Sequence, residues 1–325
     1  MNKLVNKYIN GQNMYIKSAN DLVTSLQQTR AGFISAALEK NRRATPFIQS
    51  AKSLKALASK AKTPQDLLEI HDIEPSLLTA AGISDKALNY FSEEDKIEAI
   101  KLLIKNFLEP AGEYFLDELV YRYLLIKGDS LGGQMRNIVG AISQQKLIRT
   151  LLSNMNVMSL SYKWLDGNSN IWHVKSDEDL GIEENLKAIS WEYKGVKKLL
   201  AFNLSFPIIK KNVDICLFNA DNTDYLKGKI VLSLEKVLML GELKGGIDPA
   251  GADEHWKTAS TALQRIRNGF LEKGIKIKTS FIGAAIATNM AAEIWSHLIS
   301  GDLTYAANLT VDDQVVDFCN WIITQ

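Results

Sequence analysis

Asp214, Glu242 and Lys244 are the residues of this chain whose types and spacing could support hydrolytic chemistry. Glu242 and Lys244 end an apolar run, VLMLGELKG, at positions i and i+2. On a strand such positions share a face, so a carboxylate and an ammonium emerge side by side. Asp214 lies inside a second apolar run, NVDICLFN, where an unpaired carboxylate is costly unless something binds it. On a neighbouring strand it would complete a two-carboxylate pocket. Two carboxylates, a backbone carbonyl such as that of Leu243, a phosphate oxygen and water suit a hard divalent cation such as Mg²⁺. Phosphodiester hydrolysis needs such a cation to polarise the phosphoryl oxygen and acidify the attacking water, with a lysine to orient it. Taken alone, the D…ExK pattern is weak, because strand-end Glu and Lys are mostly surface salt-bridging side chains. The GGIDPAGADEH that follows is a glycine-rich loop feeding a helix, which lets backbone approach a ligand closely.

These residues need a sheet to hold them, and the pattern supplies one in the second half of the chain. From about Tyr162, ISWEYKG, VKKLLAFNLSFPII, NVDICLFN, KVLMLGELKG and TSFIGAAIA alternate or run apolar and read as strands. The helices ADEHWKTASTALQRIRNGFLEKG and MAAEIWSHLIS are interleaved with them. The order is α/β, a mixed central sheet flanked by helices. Residues 20 to 150 read instead as a largely helical region, with apolar positions three and four apart. A single helix is expected through Leu22, Leu26, Phe33 and Ala37, and another through Ile97 to Phe107, capped by Ser92 with Glu93, Glu94 and Asp95 in its first turn. Pro46, Pro64, Pro75 and Pro110 mark expected breaks, and GDSLGG at Gly128 to Gly133 an expected turn. The change of period gives two regions, 1–155 and 156–325.

The 325 residues carry 38 Lys and Arg against 37 Asp and Glu, a net charge of +1, which excludes a generic polycation. Between Arg30 and Lys62, however, eight bases face only Glu39, a local charge of +7. This stretch is either a solvated basic face or a surface that tracks phosphates. The two cysteines, Cys216 and Cys319, lie in apolar runs, so neither a disulfide framework nor a cysteine metal site is expected, and a reducing cytoplasm fits. The start, MNKLVNKYINGQNMYIKS, has no secretory apolar region, and no membrane span is expected. KGDSLGG has no GK[ST], so no nucleotide cofactor is implied.

The stretches KKNVDICLFN and GELKGGIDPAGADEHWKTA resemble the AvaI/BsoBI family of type II restriction endonucleases. So do RAGFISAALEKNRRATPFI, GISDKA, FLEPAGEYFLDEL, KGDSLGGQMRNIVGAISQQKL, FIGAAIA and the terminal CNWII. The resemblance runs from about Asp21 to the C-terminus. It implies a restriction-endonuclease-like core of the PD-(D/E)xK type, a homodimer, Mg²⁺ as cofactor, and double-stranded DNA as substrate. The implied cut is at C^YCGRG, leaving four-base 5′ overhangs. Asp214 and Glu242 would be the metal-binding carboxylates and Lys244 the catalytic lysine; Val213 stands where the superfamily usually has proline. His255 would be a general base or a phosphate contact, its alternative being a packing or capping residue in the first turn of a helix. Lys211 would neutralise a phosphate or else be a solvated strand-end lysine.

A C/G-rich site calls for Arg or Lys at guanine and Asp or Glu at cytosine N4. Lys86 in GISDKA and Asp248 in GGIDPAG are the family-matched candidates, though Asp248 could instead cap the next helix or bind metal. Arg30, Arg42, Arg43 and Arg136 are weaker candidates, better suited to phosphates than to bases.

Overall fold

The computed structural model describes residues 14–176 and 179–325. Residues 1–13, most of the stretch read as lacking a secretory segment, lie outside the described residues. The helical region comprises α1 (Leu26–Ala58), α2 (Glu74–Ala80), α3 (Asp85–Leu88), α4 (Glu93–Leu103) and α5 (Phe115–Val157). Then follow β1 (Tyr162–Asp166), β2 (Trp172–Val174), β3 (Leu186–Tyr193), β4 (Val196–Phe206), β5 (Lys211–Phe218) and β6 (Val237–Lys244). Helix α6 (Ala252–Leu271), β7 (Lys278–Gly283), α7 (Thr288–Ser300), β8 (Tyr305–Asn308) and α8 (Asp312–Thr324) complete the chain.

The fold divides into two compact units, residues 34–136 and residues 1–33 with 137–325. Helices α1 and α5 each run from one unit into the other, whereas the change of period near residue 155 marks the end of α5. The 34–136 unit has its own core, in which Leu54, Leu67, Leu77, Ile100, Leu108 and Leu119 are buried.

The larger unit is built on one eight-stranded sheet, ordered β2-β1-β3-β4-β5-β6-β7-β8. Pairing is antiparallel from β2 to β6 and parallel through β6, β7 and β8, as expected for a mixed sheet. Strand alternation supplies two cores. Ala201, Cys216, Phe218 and Leu240 pack with Trp256, Leu263, Ile266 and Phe270 of α6 and Ile294 of α7. On the opposite face Leu200, Phe202, Ile215, Leu217 and Met239 pack with Phe318 and Ile322 of α8 and Leu147, Leu151 and Met155 of α5. A strand covered on both faces reads as a continuous apolar run, which is why NVDICLFN and VLML were legible. Cys216 and Cys319 are both free and buried. Among the described residues no helix is long and apolar enough to cross a membrane.

Three expectations about the helical region need correction. The helix expected through Leu22 is interrupted: Leu22 closes a short 3₁₀ turn, and α1 starts only at Leu26. Ser25 and Gln28 set that start by reciprocal bonds, Ser25 N–H to Gln28 Oε1 (2.7 Å) and Gln28 N–H to Ser25 Oγ (3.2 Å), a capping box written in the sequence as SLQQ. Pro46 does not break α1 but sits inside it. An interior proline costs about 3 kcal/mol, less here because Pro46 is exposed and water can solvate the carbonyl it orphans. GDSLGG is not a turn but part of the 43-residue α5. None of Gly128, Gly132 and Gly133 takes a positive φ, and buried Leu131 anchors the stretch. Helix propagation from strong flanking segments outweighs a cost of about 1 kcal/mol per glycine. The Ser92 cap is present as expected, with Ser92 N–H to Asp95 Oδ2 at 2.7 Å and Asp95 N–H to Ser92 Oγ at 3.2 Å.

Candidate active site

Strands β5 and β6 separate just where the chemistry-bearing residues lie. Their ladder runs from Phe218↔Val237 to Ile215↔Gly241 and stops. Asp214 follows the last pair on one strand, and Glu242, Leu243 and Lys244 follow it on the other. Glu242 and Lys244 alternate with Leu243 and share the face of Leu240, which α6 covers. Where the ladder ends, Asp214 takes over its hydrogen bonding: Leu243 N–H donates to Asp214 Oδ2 at 2.8 Å. The N–H and C=O of one strand residue point to the same side, so the Leu243 carbonyl also faces the Asp214 side. The Lys244 carbonyl turns the other way, accepting from Ala284 N–H at 2.9 Å.

Lys244 Nζ donates to Glu242 Oε2 at 2.6 Å and lies 3.5 Å from Asp214 Oδ2. One ammonium therefore serves two carboxylates. Glu242 is only 5% exposed, and burial, reinforced by the Asp214 carboxylate, pushes its pKa above the ordinary glutamate value even though Lys244 pulls it down. Burial alone would lower the Lys244 pKa, but the two carboxylates outweigh it and raise the value. The cluster carries uncompensated negative charge in a partly dry place, the condition under which a further cation is attracted.

Among the described residues no group of three or more His, Cys, Asp and Glu side chains is placed to hold a metal ion. What converges is a pair, Asp214 and Glu242, with the Leu243 carbonyl on the same side. That donor set does not fit a closed zinc cage. It fits Mg²⁺, which takes oxygen ligands, uses one or two carboxylates and keeps several waters.

The pair opens into a cleft of about 550 Å³ lined also by Lys211, Lys257, Thr258, Thr261 and Arg265. Lys211, at the start of β5, is thus beside the carboxylates. Lys257 is paired with Asp253 at 2.7 Å, but among the described residues neither Lys211 nor Arg265 forms an ion pair. Thr258, Thr261 and Arg265 were missed in the sequence. The signal was the spacing Glu254, Thr258, Thr261, Arg265, one polar stripe along α6, with Trp256, Ala259, Leu263 and Ile266 buried on the other side.

The remaining candidates lie elsewhere. His255 is half-buried on α6 with its ring against Gly246, outside the lining of the cleft. Asp248 is exposed and caps the turn Pro249–Gly251, accepting from Ala250 N–H at 2.9 Å. Arg30 is exposed on α1 and Arg136 on α5. In the 34–136 unit, Lys86 is exposed on α3, while Arg42 and Arg43 are both paired with Glu39, at 2.8 and 2.6 Å. The basic stretch is therefore partly neutralised by its single acid.

Residues 12–325 match the family model described as restriction endonuclease BsobI. The chain is 56% identical over 312 residues to the type II restriction enzyme BsoBI of Geobacillus stearothermophilus, covering 95% of this chain and 97% of that one. It is 51% identical over 309 residues to the type II restriction enzyme AvaI of Nostoc sp., covering 95% and 98% respectively, and AvaI of Anabaena variabilis matches equally. With an ExK strand end beside a half-buried aspartate, and likeness over nearly its whole length, this chain belongs to the BsoBI family of restriction endonucleases.

Proposed function

We propose that this protein is an Mg²⁺-dependent, sequence-specific endonuclease that cuts double-stranded DNA at C^YCGRG, leaving four-base 5′ overhangs with 5′-phosphates. The observation that carries the reading is the convergence of Asp214, Glu242 and Lys244 where β5 and β6 part, in a cleft also lined by Lys211 and Arg265, neither of them in an ion pair among the described residues. Asp214, Glu242 and the Leu243 carbonyl would hold Mg²⁺, which when bound supplies charge stabilisation at the phosphoryl oxygen and a more acidic water. Lys244, held by the two carboxylates, orients the attacking water and offsets charge developing on the phosphate. Lys211 and Arg265 take neighbouring phosphates of the same strand. His255, whose ring packs on Gly246 outside the lining of the cleft, would act on a phosphate or a water once DNA is bound.

Asp248 and Lys86 would read bases, a carboxylate for cytosine N4 and an ammonium for guanine O6 and N7. Arg30, Arg42, Arg43 and Arg136 would grip phosphates, with the helical region 1–155 contributing grip and dimer contacts to the nuclease region 156–325. A palindromic target matches a two-fold homodimer with one active site per strand. Two free cysteines fit a reducing cytoplasm.

The test is to incubate the protein with plasmid and Mg²⁺ and to sequence the fragment ends. Discrete fragments whose ends begin YCGRG are expected. Retarded but intact DNA would overturn the assignment in favour of a DNA-binding protein without cleavage, and cutting confined to branched junctions would overturn it in favour of a structure-specific nuclease.

A further inference from the structure

Between Lys244 and the turn at Pro249, the chain is pressed against three helices. A Cβ on Gly245 would overlap Ser143 Oγ and lie 3.0 Å from the Val139 carbonyl oxygen, both on α5. A Cβ on Gly246 would lie 2.6 Å from His255 Cε1 on α6. At the third contact the glycine is on the helix: a Cβ on Gly32 of α1 would overlap Ile247 Cγ1 and lie 3.1 Å from Ile247 Cβ. Ile247 cannot escape by turning its tip, because the conflict reaches its Cβ and a β-branched side chain is stiff at χ1. The loop backbone would have to move. The segment that leads into α1 is itself fixed: Thr24 Oγ1 donates to Ala284 O at 2.8 Å and accepts from Ile286 N–H at 2.9 Å, and buried Asn308 Nδ2 donates to Leu22 O at 2.9 Å.

Backbone conformation does not call for glycine at position 32. It lies inside α1 without a positive φ, where alanine is the better helix former. Its value is the space it leaves. We propose that Gly32 is a positioning residue for target recognition: it seats Ile247 and so fixes the neighbouring Asp248, an exposed carboxylate, at the depth from which it reads a base. This rests on the reading of the protein as a site-specific nuclease. A displacement of about 1 Å is enough to lose a base hydrogen bond and the discrimination it carries.

The experiment measures cleavage by the full chain with Mg²⁺ on duplexes containing CYCGRG and on duplexes with one base pair changed. Gly32→Ala is expected to lower kcat/KM on the target at least tenfold, mainly through KM, and to reduce discrimination between the two duplexes at least tenfold. Adding Ile247→Ala reopens the seat, so the double variant should match Ile247→Ala alone. Gly132→Ala on α5, where a Cβ meets nothing within 4 Å, is the control that raises helix propensity without touching the loop and should leave both values unchanged. If Gly32→Ala alone fails to fold, the double variant carries the test by the same comparison. Gly32→Ala with higher Tm and unaltered discrimination, or a loss that the double variant does not recover, would overturn the proposal. A wild-type protein that cuts neither duplex would refute the nuclease reading instead, with the seat still read from discrimination in DNA retardation.

Discussion

Glu39 in the helical unit and Glu242 in the nuclease unit are the same residue in opposite circumstances. Glu39 has two arginines, Arg42 and Arg43, one and the same turn away, and their hydrogen bonds hold its carboxyl at about 2. Glu242 shares one lysine with Asp214 and is buried, and its carboxyl is pushed upward. The helical unit satisfies this acid from within its own helix. The nuclease unit leaves an acid short of positive charge, and a folded protein maintains such a deficit only at a cost. The difference separates charge that is satisfied within its own helix from charge that is left short of a partner.

The largest effect expected from breaking this contrast is that of Lys244→Ala. It removes the ammonium shared by the two carboxylates, and single-turnover cleavage of plasmid should fall by about 10³-fold or more. Next is Glu242→Gln, which should also abolish cleavage yet stabilise the metal-free protein. An acid whose folded pKa is raised contributes stability below its unfolded value of about 4.5 and loses it as pH rises through the folded value. With chelator present, the Tm of wild type should therefore fall below that of Glu242→Gln by a widening margin as pH rises from about 4.5, and Mg²⁺ should narrow the gap. A smaller effect is expected for Arg265→Gln, which should weaken DNA binding evenly across sequences and reduce the salt slope of the binding constant by about one. The smallest is that of Glu39→Gln. The lowered pKa of Glu39 gives stability above about 4.5 that is lost as pH falls toward 2, but the helix-surface setting limits it to under about 1 kcal/mol. Thermal unfolding should differ little from wild type at pH 7 and not at all near pH 2.

The same two regions differ in how far the sequence disclosed them. Strands β5 and β6 are covered on both faces, so their apolar runs were plain, and any charge ending such a run stood out: Asp214, Glu242 and Lys244 were legible for that reason. The N-terminal helical region was harder because its helices are long and partly exposed. Leu26 and Phe33 occupy helix-spaced positions yet are 66% and 47% exposed, so periodicity did not reveal what they pack against. Proline at 46 and glycine at 128, 132 and 133 carry local preferences that cooperative helix formation overrode. Arg265 and Thr258 were overlooked because a polar helix stripe looks the same whether it faces bulk water or a cleft. His255, named through the family resemblance, is one residue and 100° of helix rotation from Glu254, so its ring faces Gly246 while Glu254 lines the cleft.

The most direct measurement of the central claim pairs two assays on one variant, Asp214→Asn, which keeps the size of the side chain and loses its charge. Plasmid cleavage in Mg²⁺ and retardation of a duplex containing the target should be followed on the same preparation. The duplex should still be retarded while cleavage is lost. Cutting at the wild-type rate would contradict it, because the carboxylate at the mouth of β5 and β6 would then have no part in the reaction.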